Sequence, residues 1–300
     1  MDVAAIAERA RSNGGLVRRS DLTACGVSSP RITELVRRGV IARVARGVYA
    51  VGFRERVHDP ASIAVAWNVV LSFESAAAWY GAEMPKPVAQ LHVTAPRTRG
   101  RWSDRVSGIR LHRAAVAPHD IVIVRGVRVT SPLRTAIDIS RHRAIEEAVA
   151  IVDSFLRACL FTAEEFIARA ERSLGPGRLR IQTVASLIDP LSGSILESLT
   201  RVLLWRNNLA VPDTQFTFRD QQGGWVGRVD FAWPRLRAIL ECDGYEFHAD
   251  RAVFQKDRRR WSAISRAGWH LAVVTWFDVT CDPTYVVALV GELLELDRQS

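Results

Sequence analysis

Lysine is nearly missing from this chain of 300 residues: of 41 basic residues only Lys86 and Lys256 are lysine, and the rest are arginine. The net charge of +9 and the isoelectric point near 10.2 are therefore carried by guanidinium groups. An excess of this size favours a polyanionic partner such as nucleic acid. An arginine bias also follows from genome base composition, so the charge needs a domain plan behind it. Cysteine is sparse too. Cys25, Cys159, Cys242 and Cys281 are far apart with no C-x-x-C pair, which excludes a zinc ribbon and a disulfide framework. His92, His112, His119 and His142 are scattered without metal-ligand spacing. Long apolar runs are absent, and none approaches the roughly 20 residues of a membrane helix. The opening "MDVAAIAERARSNGG" mixes acids and arginines into an amphipathic pattern, unlike a signal peptide. These absences lead to the expectation of a cytoplasmic chain with no membrane partner.

What is present reads as a multidomain α/β (α+β) protein. The composition, 48% hydrophobic and 24% charged, is globular. The length suggests two or three domains, because single cores rarely grow past about 250 residues. Residues 1–55 have the order of a winged helix-turn-helix: an amphipathic helix stopped at Gly14-Gly15, a short helix capped by Ser20, a third helix, and a wing. The third helix, "SSPRITELVRRGV", carries Ser29 as N-cap, Pro30 at its first position and Gly39 just past its end. Ile32, Leu35 and Val36 form its buried stripe, which leaves Arg31, Arg37 and Arg38 to face outward. "IARVARGVYAV" is the wing, with Arg43 and Arg46. In such a domain the third helix enters the major groove of duplex DNA while wing arginines reach phosphates or the minor groove. Winged helices also serve as protein–protein modules, in which these arginines are simply solvated.

Residues 56–172 read as a mixed α/β region. "SIAVAWNVVLSFESAAAWYGA" has helical spacing, "AQLHVTAP", "GIRLHRA" and "IVIVRGVRVTS" are strand-like, and Ser131-Pro132 opens a helix. No catalytic constellation appears there. On "VARGVYAV", "LHVTAP" and "GVRVTSPLRTAIDI", the first 170 residues or so resemble the AbiEi-type antitoxins of abortive-infection systems. That resemblance implies operator binding and control of a neighbouring gene, with no enzymatic activity in this half. Residues 173–193 hold Gly175, Pro176, Gly177, Pro190 and Gly193 and read as a linker.

Residues 194–300 show helix, three strands, helix, strand, helix. Within "GRVDFAWPRLRAILECDGYEFHAD" a Pro-opened loop separates two strand-like runs. If Trp233 pairs with Ala238, Asp230 faces Glu241, and Asp243 shares Glu241's side because side chains alternate along a strand. Like charges facing across a ladder destabilise it. Protonation, arginines such as Arg228 and Arg237, or a divalent cation must compensate them. A helix acid, a strand Asp and an E-x-D on the paired strand form the layout of metal-dependent phosphodiesterases. There a hard cation takes a few carboxylate oxygens and activates a water.

On "SILES" with Arg201, "GRVDFAWP", "ILECDGYEFH", "QKDRRRW" and "AGWHLAVVTW", this domain resembles the very-short-patch repair endonucleases, a PD-(D/E)xK branch of the restriction-endonuclease-like folds. The resemblance implies Mg²⁺ or Mn²⁺ held by Asp230 and Glu241, with Glu197 supporting and His248 as acid or base near the scissile phosphate. Asp243 stands where that superfamily has lysine, so Lys256 would take over its charge, or Asp243 would join the metal. Arg258 and Arg259, with Arg260, would line a phosphate-binding face. The expectation is a DNA-binding protein with a divalent-metal-dependent endonuclease domain. The alternative is an antitoxin-type regulator whose nuclease-like domain only binds.

Overall fold

The computed structural model describes residues 3–12, 15–45, 47–51, 64, 68–96, 108–219, 223–244 and 260–295, and it is a multidomain mixed α/β protein. Its chain forms two compact units, one of residues 1–81 with 86–139, the other of residues 82–85 with 140–300.

The first unit begins with the helices α1 (Val3–Ser12), α2 (Arg19–Ala24) and α3 (Ser29–Arg37). A three-stranded antiparallel sheet, β1 (Leu16–Arg18), β3 (Val48–Val51) and β2 (Ile41–Ala45) in that order, completes the winged helix. Both helix starts fall earlier than expected. The N-cap of α3 is Ser28, with Ser29 at the first helical position, and α2 opens at Arg18, whose N–H donates to the Asp21 carboxylate at 3.0 Å. A carboxylate three residues on satisfies an otherwise orphaned N–H, and that capping bond outweighs the Ser20 cap. Gly39 ends α3 at φ +71°, the left-handed conformation of a helix C-cap.

The rest of this unit is a five-stranded mixed sheet ordered β6 (Ile109–Arg113), β5 (Leu91–Ala95), β4 (Val70–Leu71), β8 (Val127–Thr130), β7 (Ile121–Val124). The stretch that reads as one long helix is interrupted by β4, which occupies the buried centre of this sheet before α4 (Phe73–Trp79) begins. Asn68 and Phe73, at φ +47° and +52°, flank β4 with left-handed residues that a continuous right-handed helix through this stretch would not contain. Leu16 and Val48 of the wing strands share one core with Leu71, Val93, Val127 and Val129, so the winged helix packs on this sheet.

The second unit packs helices α6 (Ile145–Arg157), α7 (Ala163–Glu171) and α8 (Arg178–Leu187) with the C-terminal residues; α5 (Pro132–His142) leads into it, with Ser131 Oγ accepting the Arg134 N–H at 3.3 Å. Helix α9 (Ile195–Arg206) follows, capped by Ser194, whose hydroxyl accepts the Glu197 N–H. A four-stranded sheet runs β12 (His270–Thr275), β11 (Ala238–Asp243), β10 (Trp225–Trp233), β9 (Asp213–Arg219). Strands β9, β10 and β11 are antiparallel, and β11 runs parallel to β12 through a crossover containing helical residues 260–266. Helices α10 (Trp276–Cys281) and α11 (Pro283–Glu295) close the same core, where Leu199, Phe231, Leu240, Val274 and Val290 are buried together.

Candidate nucleic-acid interface and carboxylate cluster

Helix α3 buries Ile32 and Leu35 and leaves Arg37 and Arg38 exposed. The Arg19 guanidinium donates to Ser29 Oγ at 2.6 Å, which ties α2 to the start of α3 and fixes the angle of the helix pair. Two of the three expected arginines bracket one acid. Arg31 lies 2.6 Å from Glu34 Oε2 and Arg38 3.6 Å from Glu34 Oε1. The hydrogen bond and charge of Arg31 lower the Glu34 pKa. Glu34 thus draws both guanidinium groups along the helix surface, and Arg37 is the exposed arginine of α3 that no described acid holds. On the wing, Arg43 is exposed and pairs in register with Tyr49, while Arg46 lies outside the described residues.

In the C-terminal sheet the hairpin closes with Trp233 opposite Ala238, the expected register. The acids then meet. Asp230 accepts the Cys242 N–H on Oδ2 at 2.8 Å, and the Glu241 side chain hydrogen-bonds the same carboxyl. Glu197 is delivered by the first turn of α9, and its Oε2 accepts the Gly193 N–H at 2.7 Å. Gln215 lies between the two groups. Its Nε2 donates to Glu197 Oε2 at 2.7 Å and to Asp230 Oδ1 at 3.3 Å. Gln215 reaches there from a left-handed backbone, φ +52°, inside β9. Gly193 leaves room for the pair, because a Cβ there would come within 2.9 Å of Glu197 Oε1 and 3.2 Å of Gln215 Nε2.

Compensation comes from several of the sources weighed above. Burial raises the pKa of Glu197 and of Asp230, toward the neutral acid, and the Asp230 charge raises Glu197 further. The arginine that pairs with Glu241 is Arg260, at 3.3 Å, rather than Arg228 or Arg237. Arg201 turns away from Glu197 and pairs with Asp153 at 2.7 Å. Asp243 ends β11 exposed. His248, Lys256, Arg258 and Arg259 lie outside the described residues. Among the described residues no three His, Cys, Asp or Glu side chains are arranged to hold a metal ion. An amide and a guanidinium face the carboxylates where a cation would be shared, so the residues as arranged do not fit Mg²⁺ or Mn²⁺. Two of the scattered histidines do meet: His92 Nδ1 lies 3.1 Å from His112 Nε2 and 2.9 Å from Glu74 Oε2.

Residues 4–52 match the family model described as "Transcriptional regulator, AbiEi antitoxin", and residues 68–189 match "AbiEi antitoxin C-terminal domain". Two AbiEi antitoxin models thus match successive stretches of the leading part of this chain. The first AbiEi match spans the winged helix with Arg31, Arg37, Arg38, Arg43 and Arg46, and the second spans the five-stranded sheet and helices α5 to α8. Residues 190–300, with the carboxylate cluster, lie beyond both AbiEi models, and neither supports the endonuclease resemblance. The Mycobacterium tuberculosis proteins MT2308 (strain CDC 1551 / Oshkosh) and Rv2248 (strain ATCC 25618 / H37Rv) are each 28% identical over 268 residues, 88% of this chain and 96% of theirs. The crystal structure of the RV2827C protein from Mycobacterium tuberculosis aligns with a TM-score of 0.39 and 14% identity, over 65% of this chain and 78% of that one. No described helix is long and apolar enough to cross a membrane.

Gln215, Asp153 and Arg260's pairing were not singled out from the sequence, and Gly193, read as a linker residue, instead makes room beside Glu197 and Gln215. Alternation along "TQFTFRD" places Gln215 on one face of a strand, but only the tertiary fold brings that side chain to Glu197 and Asp230.

Proposed function

We infer that this chain is a transcriptional regulator of antitoxin type that binds double-stranded DNA through its winged helix. One observation carries the reading: α3 presents Arg37 and Arg38 from a buried Ile32–Leu35 stripe, in the stretch that matches a regulator model. The recognition helix supplies base and phosphate contacts in the major groove, and Arg43 on the wing supplies a backbone contact beside it. The C-terminal sheet is an accessory module in this reading, its acids held by Gln215, backbone N–H groups and Arg260 rather than by chemistry on a phosphate.

The test is fluorescence anisotropy with duplex DNA from the chain's own upstream region, run at several salt concentrations. The expected result is specific binding that weakens steeply with salt and is lost in Arg37→Ala with Arg43→Ala. Plasmid incubated with Mg²⁺ or Mn²⁺ gives the opposing outcome. Cutting that disappears in Asp230→Ala and in Glu241→Ala would replace the regulator reading with the endonuclease one.

A further inference from the structure

A cavity of about 430 Å³ opens on the five-stranded sheet of the first unit. Its walls include Val70, Val116 and Ile121, and its polar lining comes from Asn68, Thr94 and Arg128. An apolar pocket of this size with a few convergent polar groups suits a small organic ligand. The polar groups say which kind. Asn68 Oδ1 accepts from Arg128 Nη1 at 3.2 Å and from Arg18 Nη2 at 3.4 Å. Two guanidinium groups therefore converge on one neutral oxygen, and no carboxylate among the described residues pairs with Arg128. A carboxylate at that point would replace a neutral acceptor with an anionic one and turn both guanidinium hydrogen bonds into ion pairs, with the fork geometry that Arg–carboxylate pairs favour.

Arg18 connects this point to the winged helix. It ends β1, and its backbone N–H holds the first turn of α2 through Asp21 at 3.0 Å. Arg19, next along, anchors α3 through Ser29 and the wing through its N–H to the Gly47 carbonyl at 2.7 Å. Asn68 itself sits on a left-handed backbone at φ +47°, beside the chain's entry into β4. A group that draws Arg18 toward Arg128 pulls on the segment from which α2, α3 and the wing are all held.

We propose that this pocket binds a small apolar carboxylate whose head group takes the place of Asn68 Oδ1 between Arg128 and Arg18, and that its occupancy changes the affinity of the winged helix for DNA. The binding half stands on the cavity alone; the coupling half rests on the regulator reading. The two halves are read separately, on the full chain.

Thermal unfolding without DNA is measured with millimolar benzoate or hexanoate, against hexylammonium at matched ionic strength. The carboxylates are expected to raise Tm by about 2 °C or more through mass action on the folded state. Hexylammonium has no such effect, and Arg128→Gln or Thr94→Val abolishes the rise. Arg128 is exposed, so the variant keeps its fold. No Tm rise with either acid, or a rise that persists in Arg128→Gln, overturns the site, whether or not the chain binds an operator. In the presence of operator duplex, the same acids are expected to change affinity by roughly fivefold or more, the usual size of an allosteric coupling. That change disappears in Arg18→Gln. A Tm rise with unchanged operator affinity overturns the coupling.

Discussion

Asp153 is a fully buried carboxylate at the centre of the second unit, and removing its charge tests the energetics of that unit. It lies in α6, accepts the Arg201 guanidinium at 2.7 Å and the Ser198 hydroxyl at 2.8 Å on Oδ2, and takes the Asp189 N–H at 2.8 Å on Oδ1. Burial pushes its pKa up to about 6, more than Arg201 and the hydrogen bonds pull it down. A carboxyl whose pKa is raised in the folded state binds its proton more tightly there than in the unfolded chain. It therefore adds stability that is fully present below the unfolded pKa and lost as pH rises through about 6. With an unfolded value near 3.9, the contribution is about 2 kcal/mol at about pH 4.5 and close to zero at about pH 7.5.

The perturbation is Asp153→Asn, which keeps the shape and removes the titration. Its ΔΔG of unfolding should be more destabilising at about pH 4.5 than at about pH 7.5, by about 2 kcal/mol. Denaturant unfolding followed by tryptophan fluorescence is suited to it, since six of the nine tryptophans lie after residue 200. Taking the mutant–wild-type difference at each pH cancels the other titrating groups. An equal ΔΔG at both pH values would refute the argument that desolvation outweighs Arg201 at this site.

Other outcomes follow from the same structure. Arg201→Met leaves the Asp153 carboxylate buried without its cation and should destabilise the second unit by about 3–5 kcal/mol, read by the same denaturant titration. Gln215→Leu removes the donor shared by Glu197 and Asp230, with an expected loss of about 1–3 kcal/mol. Because the two acids lose a partner for their charged forms, that loss should be larger at high pH than at low pH, as urea midpoints at the two pH values would show. Gly193→Ala drives a Cβ into Glu197 and Gln215; its midpoint should fall, whereas Gly244→Ala, with nothing within 4 Å of the added carbon, should leave it almost unchanged. Arg37→Ala should lower the slope of log affinity against log salt by about 1, if Arg37 contacts a phosphate.

The parts of the fold that were legible in the sequence are those set by local periodicity and turn chemistry. Pro234 and the alternation on either side of it give the Trp233–Ala238 register, and Gly39 gives the end of α3. Strand β4 was hidden because Val70 and Leu71 lie in a run with helical spacing, and only tertiary pairing with β5 and β8 turns them into a strand. The cap of α3 moved to Ser28 because adjacent serines give nearly the same local signal. The meeting of Asp230 and Glu241 could be read from strand register, but their partners could not. Gln215 arrives through a left-handed residue within β9, and Arg260 from a helix across the sheet; neither is fixed by spacing in sequence.

In the regulator proposed above, α3 and the wing hold duplex DNA. Anisotropy of a labelled duplex from the chain's own upstream region, with and without the Arg37→Ala, Arg43→Ala pair, tests it most directly. The expected result is saturable binding that outcompetes unrelated duplex and is lost in the double variant while its thermal unfolding stays unchanged. Equal affinity of wild type and double variant, in a protein that still folds, would contradict it.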